Sequence, residues 1–286
     1  MSTRKILFLV VAAAFILVTL SPVLAGDNKT LTVFAIVKVK PNKVGVARQA
    51  MLNLVPLTRL EPGCINYDMH VSVGTTPGTE FTEDPTLYMF YENWRSREDW
   101  DIHMQMPYLK EWFDMCNGTG GKEAVCDGPP DITIYEMYNM PTNPVFRGVL
   151  PDLKEKYTLS ARVFVKPKDV CPPEFLDCVD RARKEMLSLV PLTHTEPGCV
   201  NYRMHVNLNQ ENGSQNPLWY LFYENWYDFN VWYYDHMNAS YLVRWFDMAP
   251  QLTTEIRLQG WRMMNFCEIH NADNSCSYQQ GMKKGK

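Results

Sequence analysis

Two histidines, two glutamates and two tryptophans recur at matching places in this chain of 286 residues. His103 follows the segment Phe90-Tyr91-Glu92-Asn93-Trp94, and His236 follows Phe222-Tyr223-Glu224-Asn225-Trp226. An imidazole titrates near neutrality and serves as a general base toward an acidic hydroxyl; a helical histidine equally serves as a hydrogen-bonding post across a domain interface. Glu92 and Glu224 lie near the ends of apolar strands, where an unpaired carboxylate is costly if buried. Each would orient its histidine, act as the base itself, or cap a loop. Trp94 and Trp226 offer a face to a planar ligand and an indole N–H to a substrate oxygen, or they pack as core aromatics. Asn93 and Asn225 are amides suited to a carbonyl or a peroxide. Tyr67 and Tyr202 complete the substrate-binding candidates, with a core role as the alternative. His70 and His205 alternate with Tyr67 and Tyr202 along their strands, so they face the opposite side.

These residues are positioned by a duplication with a period near 135 residues. Leu54-Val-Pro-Leu-Thr returns at Leu189, Glu61-Pro-Gly-Cys64 returns at Glu196, and Trp112-Phe-Asp-Met115 returns at Trp245. Alternating and helical patterns predict strands over 31–40, 65–73, 86–94 and 132–140, with helices over 44–60 and from Ser96 to about Met115. Pro56 predicts a kink or an early helix end. The second copy predicts strands over 157–166, 200–208, 218–226 and 254–264, with helices over 173–195 and 227–248. Each order is βαββαβ, a ferredoxin-like unit. Both helices of such a unit cover one sheet face, and the bare face needs a partner. The expected fold class is therefore α+β: two ferredoxin-like units packed as an intrachain pseudo-dimeric α+β barrel. The expected organisation is a leader over 1–25, domains over 30–140 and 157–266, a linker over 141–156 and a polar tail over 267–286. Further assembly of such pseudo-dimers stays open.

At Glu61 to Tyr67, Tyr91 to Trp94 and the helical histidine, each present twice, the chain resembles the antibiotic biosynthesis monooxygenase family, a branch of the dimeric α+β barrel proteins. The resemblance implies a small-molecule pocket between each sheet and its helices. Relatives of this kind include cofactor-independent oxygenases acting on quinols and polyketide anthrones, haem-degrading enzymes and isomerases. It implies a monooxygenase that oxidises a quinol or polyphenolic small molecule with O₂, using neither flavin nor metal. His103 or His236 would then ionise the phenol, and a dry pocket would hold the anion beside O₂. The alternative is a non-catalytic carrier of an aromatic molecule. Met106-Pro107-Tyr108 and Ala239-Ser240-Tyr241 stand where relatives often carry a second His or aromatic cluster.

No metal site is expected, because no His-x-x-x-His or Glu-x-x-His pair occurs on a helix. The formal charge of −4 argues against nucleic acid as a partner. Arg4 and Lys5, an apolar run from Ile6 to Val18 and the small residues before Gly26 read as a secretory signal peptide. The run is too short to span a bilayer, so no stable membrane insertion is expected after cleavage, and the mature protein is expected outside the cytoplasm. Eight cysteines suit an oxidising compartment. Six fall in local pairs (Cys116 with Cys126, Cys171 with Cys178, Cys267 with Cys276), read as disulfides; Cys64 and Cys199 read as buried free thiols. Asn117 and Asn212, in predicted loops, are glycan acceptors if the host glycosylates secreted proteins. Asn28 and Asn238 also begin Asn-x-Ser/Thr.

Overall fold

A computed structural model of the chain describes residues 30–121, 123–138 and 157–264. The leader, Asn28, the linker and the Cys267–Cys276 pair lie outside the described residues. The first half runs β1 (Leu31–Lys38), α1 (Val44–Arg59), β2 (Cys64–Val73), β3 (Glu83–Trp94), α2 (Arg97–His103), α3 (Pro107–Asn117) and β4 (Asp131–Met137). The second half runs β5 (Tyr157–Val165), α4 (Cys178–Thr193), β6 (Cys199–Leu208), β7 (Gln215–Trp226), α5 (Ser240–Leu252) and β8 (Thr253–Met263).

The eight strands close one barrel in the order β1-β3-β2-β8-β5-β7-β6-β4. Each half contributes an antiparallel sheet, and the halves are stitched by β2 to β8 (His70 opposite Met263) and by β4 to β6 (Met137 opposite His205). The expected bare faces thus meet inside a closed barrel, which leaves no sheet edge unpaired. Strand alternation sorts the side chains. Tyr67, Met69 and Val71 point outward into a core shared with α1 and α3, and Tyr202, Met204 and Val206 do the same in the second half. Phe34, Met89, Tyr91, Leu221, Tyr223 and Trp261 fill the barrel interior.

That interior is polar as well as aromatic. Tyr91 and Tyr223 stack with ring centroids 3.6 Å apart. The Tyr91 hydroxyl meets His205 Nε2 at 3.1 Å, and the Tyr223 hydroxyl meets His70 Nε2 at 3.1 Å. His205 Nδ1 lies 3.2 Å from the Leu221 carbonyl, so Nδ1–H donates there and Nε2 accepts from the phenol. Both histidines are fully buried. Burial drives their pKa down, to about 4 for His70 and about 3 for His205. They are neutral structural posts of the barrel, as the alternation predicts.

The helices depart from the sequence expectation at one place that matters. The single helix expected over 96–115 is broken: Ser96 caps α2, α2 ends at His103, and α3 restarts at Pro107. Proline disfavours helical backbone in the residue before it, and Met106 is extended. In the second half the same joint is a π-helical turn (Val231–Asp235) followed by a 3-10 turn (His236–Asn238). Pro56 and Pro191 are absorbed inside α1 and α4 without ending them. The second-half helix starts at Cys178 instead of residue 173, because the Cys171–Cys178 disulfide closes the preceding loop. Cys116 and Cys126 are also bonded, tying the end of α3 to the chain beside β1. Cys64 and Cys199 are free but half-buried, not buried as expected, since each stands at the first position of its strand. Asn117 is the exposed last residue of α3, where a loop was expected, and Asn212 lies in an exposed turn.

Candidate active site

The repeated Glu-Pro-Gly-Cys segment is the turn that carries the chain from α1 into β2. Gly63 is required there by close approach: a Cβ would collide with the Asp99 side chain at the start of α2. Gly198 is pressed in the same way against Val231. This contact brings Glu61 beneath α2, where it meets His103.

His103, on the last turn of α2, is 1% exposed. Its Nδ1 lies 2.8 Å from Glu61 Oε1, and the Tyr108 hydroxyl donates to the same oxygen. Thr58 Oγ1 approaches that hydroxyl at 3.2 Å. The second half repeats the arrangement: His236 Nδ1 is 2.9 Å from Glu196 Oε2, and Tyr241 donates to Glu196 Oε1. With Nδ1–H given to Glu61, the neutral ring presents Nε2 as its free lone pair. Burial depresses the pKa of His103, and the Glu61 carboxylate partly offsets that. The imidazole is therefore an unprotonated base at neutral pH, and a carboxylate already stands behind it for the imidazolium that would form.

Glu92 lies on the same outward face of β3, 5% exposed. Its Oε2 accepts the Trp94 indole N–H at 2.9 Å, and Glu224 accepts from Trp226 at 3.0 Å. Desolvation raises the Glu92 pKa to about 8 and that of Glu224 to about 7. Both carboxyls are thus held toward their protonated forms near neutrality and can donate a hydrogen bond. In the first half a neutral base and a neutral acid thus share one pocket.

These groups line an apolar pocket between sheet and helices. Tyr67, Phe90, Glu92, Trp100, His103 and Trp112 form much of the first; Tyr202, Phe222, Glu224, Trp232, His236 and Trp245 form much of the second. Each encloses about 30 Å³, roughly the share of one molecule in liquid water. A cavity of that size does not hold a planar organic ring as it stands, and the break between α2 and α3 at Met104–Met106 lies in its roof.

The placement of the sequence candidates is mixed. His103, Glu92 and Tyr67 come together in one pocket, as do His236, Glu224 and Tyr202. Glu92 and Glu224 do not orient the histidines; Glu61 and Glu196 do. Nor do the histidines reach across the domain interface, since each bonds within its own half. The Trp94 ring is fully buried, 4.6 Å from the imidazole centroid, with its N–H committed to Glu92. It backs the histidine and does not face a ligand, and Trp226, 4.4 Å from His236, does the same. Asn93 and Asn225 point into the barrel, bonded to Thr32 and to Thr158 and Asn201. Alternation puts them on the opposite face from Glu92, so they are not offered to a pocket ligand. Glu61, Tyr108, Glu196 and Tyr241 join the site beside the sequence candidates, and their recurrence in the duplication is the sequence signal that marks them. Cys64 and Cys199 are held as thiols, burial pushing each up to about 12, which suits no nucleophile. Among the described residues, no three His, Cys, Asp or Glu side chains converge as a metal site would require, and no helix is long and apolar enough to cross a membrane.

Comparison with known proteins agrees with this fold. The sequence pattern of the antibiotic biosynthesis monooxygenases matches residues 30–115. An uncharacterised protein of Synechocystis is 32% identical over 134 residues, which span 46% of this chain and 80% of that protein. Among solved structures, a candidate monooxygenase from Fusobacterium nucleatum superposes with a TM-score of 0.60 at 11% identity, covering 83% of this chain and 93% of its own. An anthrone oxidase-like protein superposes with a TM-score of 0.56 at 15% identity, covering 84% and 93%. These two likenesses show that the whole double unit, not one half alone, has counterparts of the same fold. With the motif, the fold and the matched residues in agreement, the chain belongs to the antibiotic biosynthesis monooxygenase family.

Proposed function

We propose that this protein oxidises a quinol or polyphenolic small molecule with O₂, drawing all electrons from the substrate and requiring neither flavin nor metal. The observation that carries the reading is the buried His103–Glu61–Tyr108 constellation facing protonated Glu92, built a second time around His236. His103 Nε2 takes the phenolic proton, and Glu61 stabilises the resulting imidazolium. The apolar walls leave the phenolate poorly solvated, which raises its tendency to pass an electron to O₂. Glu92 then donates a hydrogen bond to the developing peroxide. One oxygen atom ends in the product and the other leaves as water, so four substrate electrons account for the whole of the O₂. The leader and the two disulfides favour work outside the cytoplasm.

The test is oxygen consumption by the purified mature protein over a panel of quinols, anthrones and catechols, with chelator present. Uptake above autoxidation is expected for at least one class. Saturable quenching of tryptophan fluorescence without uptake would overturn the enzyme in favour of a carrier. The pH profile supplies a second check. Uptake should decline as pH rises from 7 to 8, when Glu224 and then Glu92 lose their protons. In Glu92→Gln/Glu224→Gln, whose amides stay neutral and still donate, that alkaline decline should vanish. A decline of unchanged position would remove the carboxyls from the mechanism.

A further inference from the structure

Outside the first pocket, α1 and α3 part over a groove of about 440 Å³, within the range that holds small organic ligands. Ala50, Leu54 and Leu57 form one wall, and Tyr108, Trp112 and Met115 the other. Two features join this groove to the site beneath. Trp112 lines both spaces, and the Tyr108 hydroxyl ends on Glu61, the partner of His103. Among the described residues lining the groove, Glu111 is the one charged side chain, so a carboxylate or phosphate meets repulsion from it.

The duplication supplies a control. Ala50 corresponds to Glu185, Val46 to Arg181 and Glu111 to Arg244. In the second half Arg181 reaches Glu185 at 2.8 Å, and Arg244 crosses from α5 toward it at 3.8 Å. Arg181 also lies 3.7 Å from Met248, the counterpart of Met115. Charged side chains therefore bridge the helices at positions where the first half carries Ala50 and Val46, the latter 59% exposed. An open apolar face whose twin is closed by ions marks a binding surface better than a scattered exposed residue does.

We propose that the α1–α3 groove is a binding site for a neutral aromatic molecule, the un-ionised phenolic form of the substrate, and that the first half alone has it. The inference rests on the aromatic-substrate reading above and adds to it. The substrate class is neutral and planar, it waits against Trp112 and Tyr108, and the two halves are unequal. The inner cavity is too small for such a ring, whereas the groove is not.

The probe is 2-naphthol, titrated into mature protein carrying ¹³C-methyl methionine. The Met115 methyl resonance should shift saturably while Met248 stays unmoved. Ala50→Glu/Glu111→Arg, which writes the second half's charges into the first, should weaken binding about tenfold or more. Anionic 2-naphthoate should bind about tenfold more weakly than 2-naphthol. Parallel shifts of Met115 and Met248, or undiminished affinity in the double variant, would overturn the proposal. So would a Met115 shift that follows protein concentration instead of naphthol, which would mark a face between copies of this chain. The readout involves no turnover: a Met115 shift without oxygen uptake leaves the groove standing and removes the monooxygenase. Uptake with an unchanged KM in the double variant does the reverse.

Discussion

Oxygen uptake should fall at least about a hundredfold in His103→Ala/His236→Ala, the usual contribution of a positioned general base. The size follows from the surroundings. Within the described residues, His103 is the group of the first pocket that holds an available lone pair while being backed by a carboxylate. Glu92 is protonated, Tyr67 has its pKa raised well above the phenolic range by burial, and the Cys64 thiol stands near 12. None of these can accept a proton at pH 7 in its place. The single variants carry further information. If the groove serves only the first half, His103→Ala should remove most of the turnover and His236→Ala little, although both pockets hold the same His, Glu and Tyr. Glu61→Gln separates positioning from chemistry. It keeps an acceptor for Nδ1–H but removes the negative charge behind the imidazolium, so kcat should fall with KM nearly unchanged. Undiminished uptake in the double histidine variant would take both residues out of the reaction.

Much of the fold was legible because its signals are local or repeated. Alternation in Ile65–Val73 and Thr86–Trp94 fixes which side chains meet the helices, and it correctly sends His70 and His205 into the barrel. The duplication identified the second unit, and the bare sheet faces demanded a partner. What failed was pairing across distance. His103 and Glu61 are separated by 42 residues, and no spacing rule joins the end of one helix to the turn after another. Glu92 is nearer to His103 in the chain, yet the strand presents it to Trp94. Asn93 stands next in sequence to Glu92, but the same alternation that sends His70 inward turns it into the barrel, onto Thr32. Likewise Pro107 carried the signal for the α2–α3 break, which a helix drawn through to Met115 ignored.

The stability of the fold should form a plateau between about pH 4.5 and 6.5 and decline on both sides, because two sets of buried groups oppose each other there. Glu92 and Glu224 have folded pKa values of about 8 and about 7, above the ordinary 4.5. Below 4.5 their contribution is fully present, and it is lost as pH rises through 7 and 8. His70 and His205 are depressed to about 4 and about 3 from 6.5. Their contribution is present above 6.5 and is lost as pH falls toward those values. Each group whose proton occupancy differs between folded and unfolded chains contributes a slope of about 1.4 kcal/mol per pH unit. Inside the window the two glutamates stabilise on acidification as fast as these two barrel histidines destabilise, so the slope that remains is the shallow one of His103, which burial also depresses. Removing one set exposes the other. In Glu92→Gln/Glu224→Gln the alkaline decline should disappear, and stability should fall by up to ~5 kcal/mol as pH drops from 6.5 to 4.5. In His70→Gln/His205→Gln the slope should reverse, with stability rising on acidification over the same window, whatever the cost of the lost Tyr223 and Tyr91 bonds at neutral pH. Urea melts of the three proteins at pH 4.5, 5.5, 6.5 and 8 would read this directly. The barrel interior also holds Asp68 and Arg203 near these histidines. Parallel curves for wild type and both variants would show that the four buried groups do not hold the protonation states on which the base–acid pairing at each pocket depends.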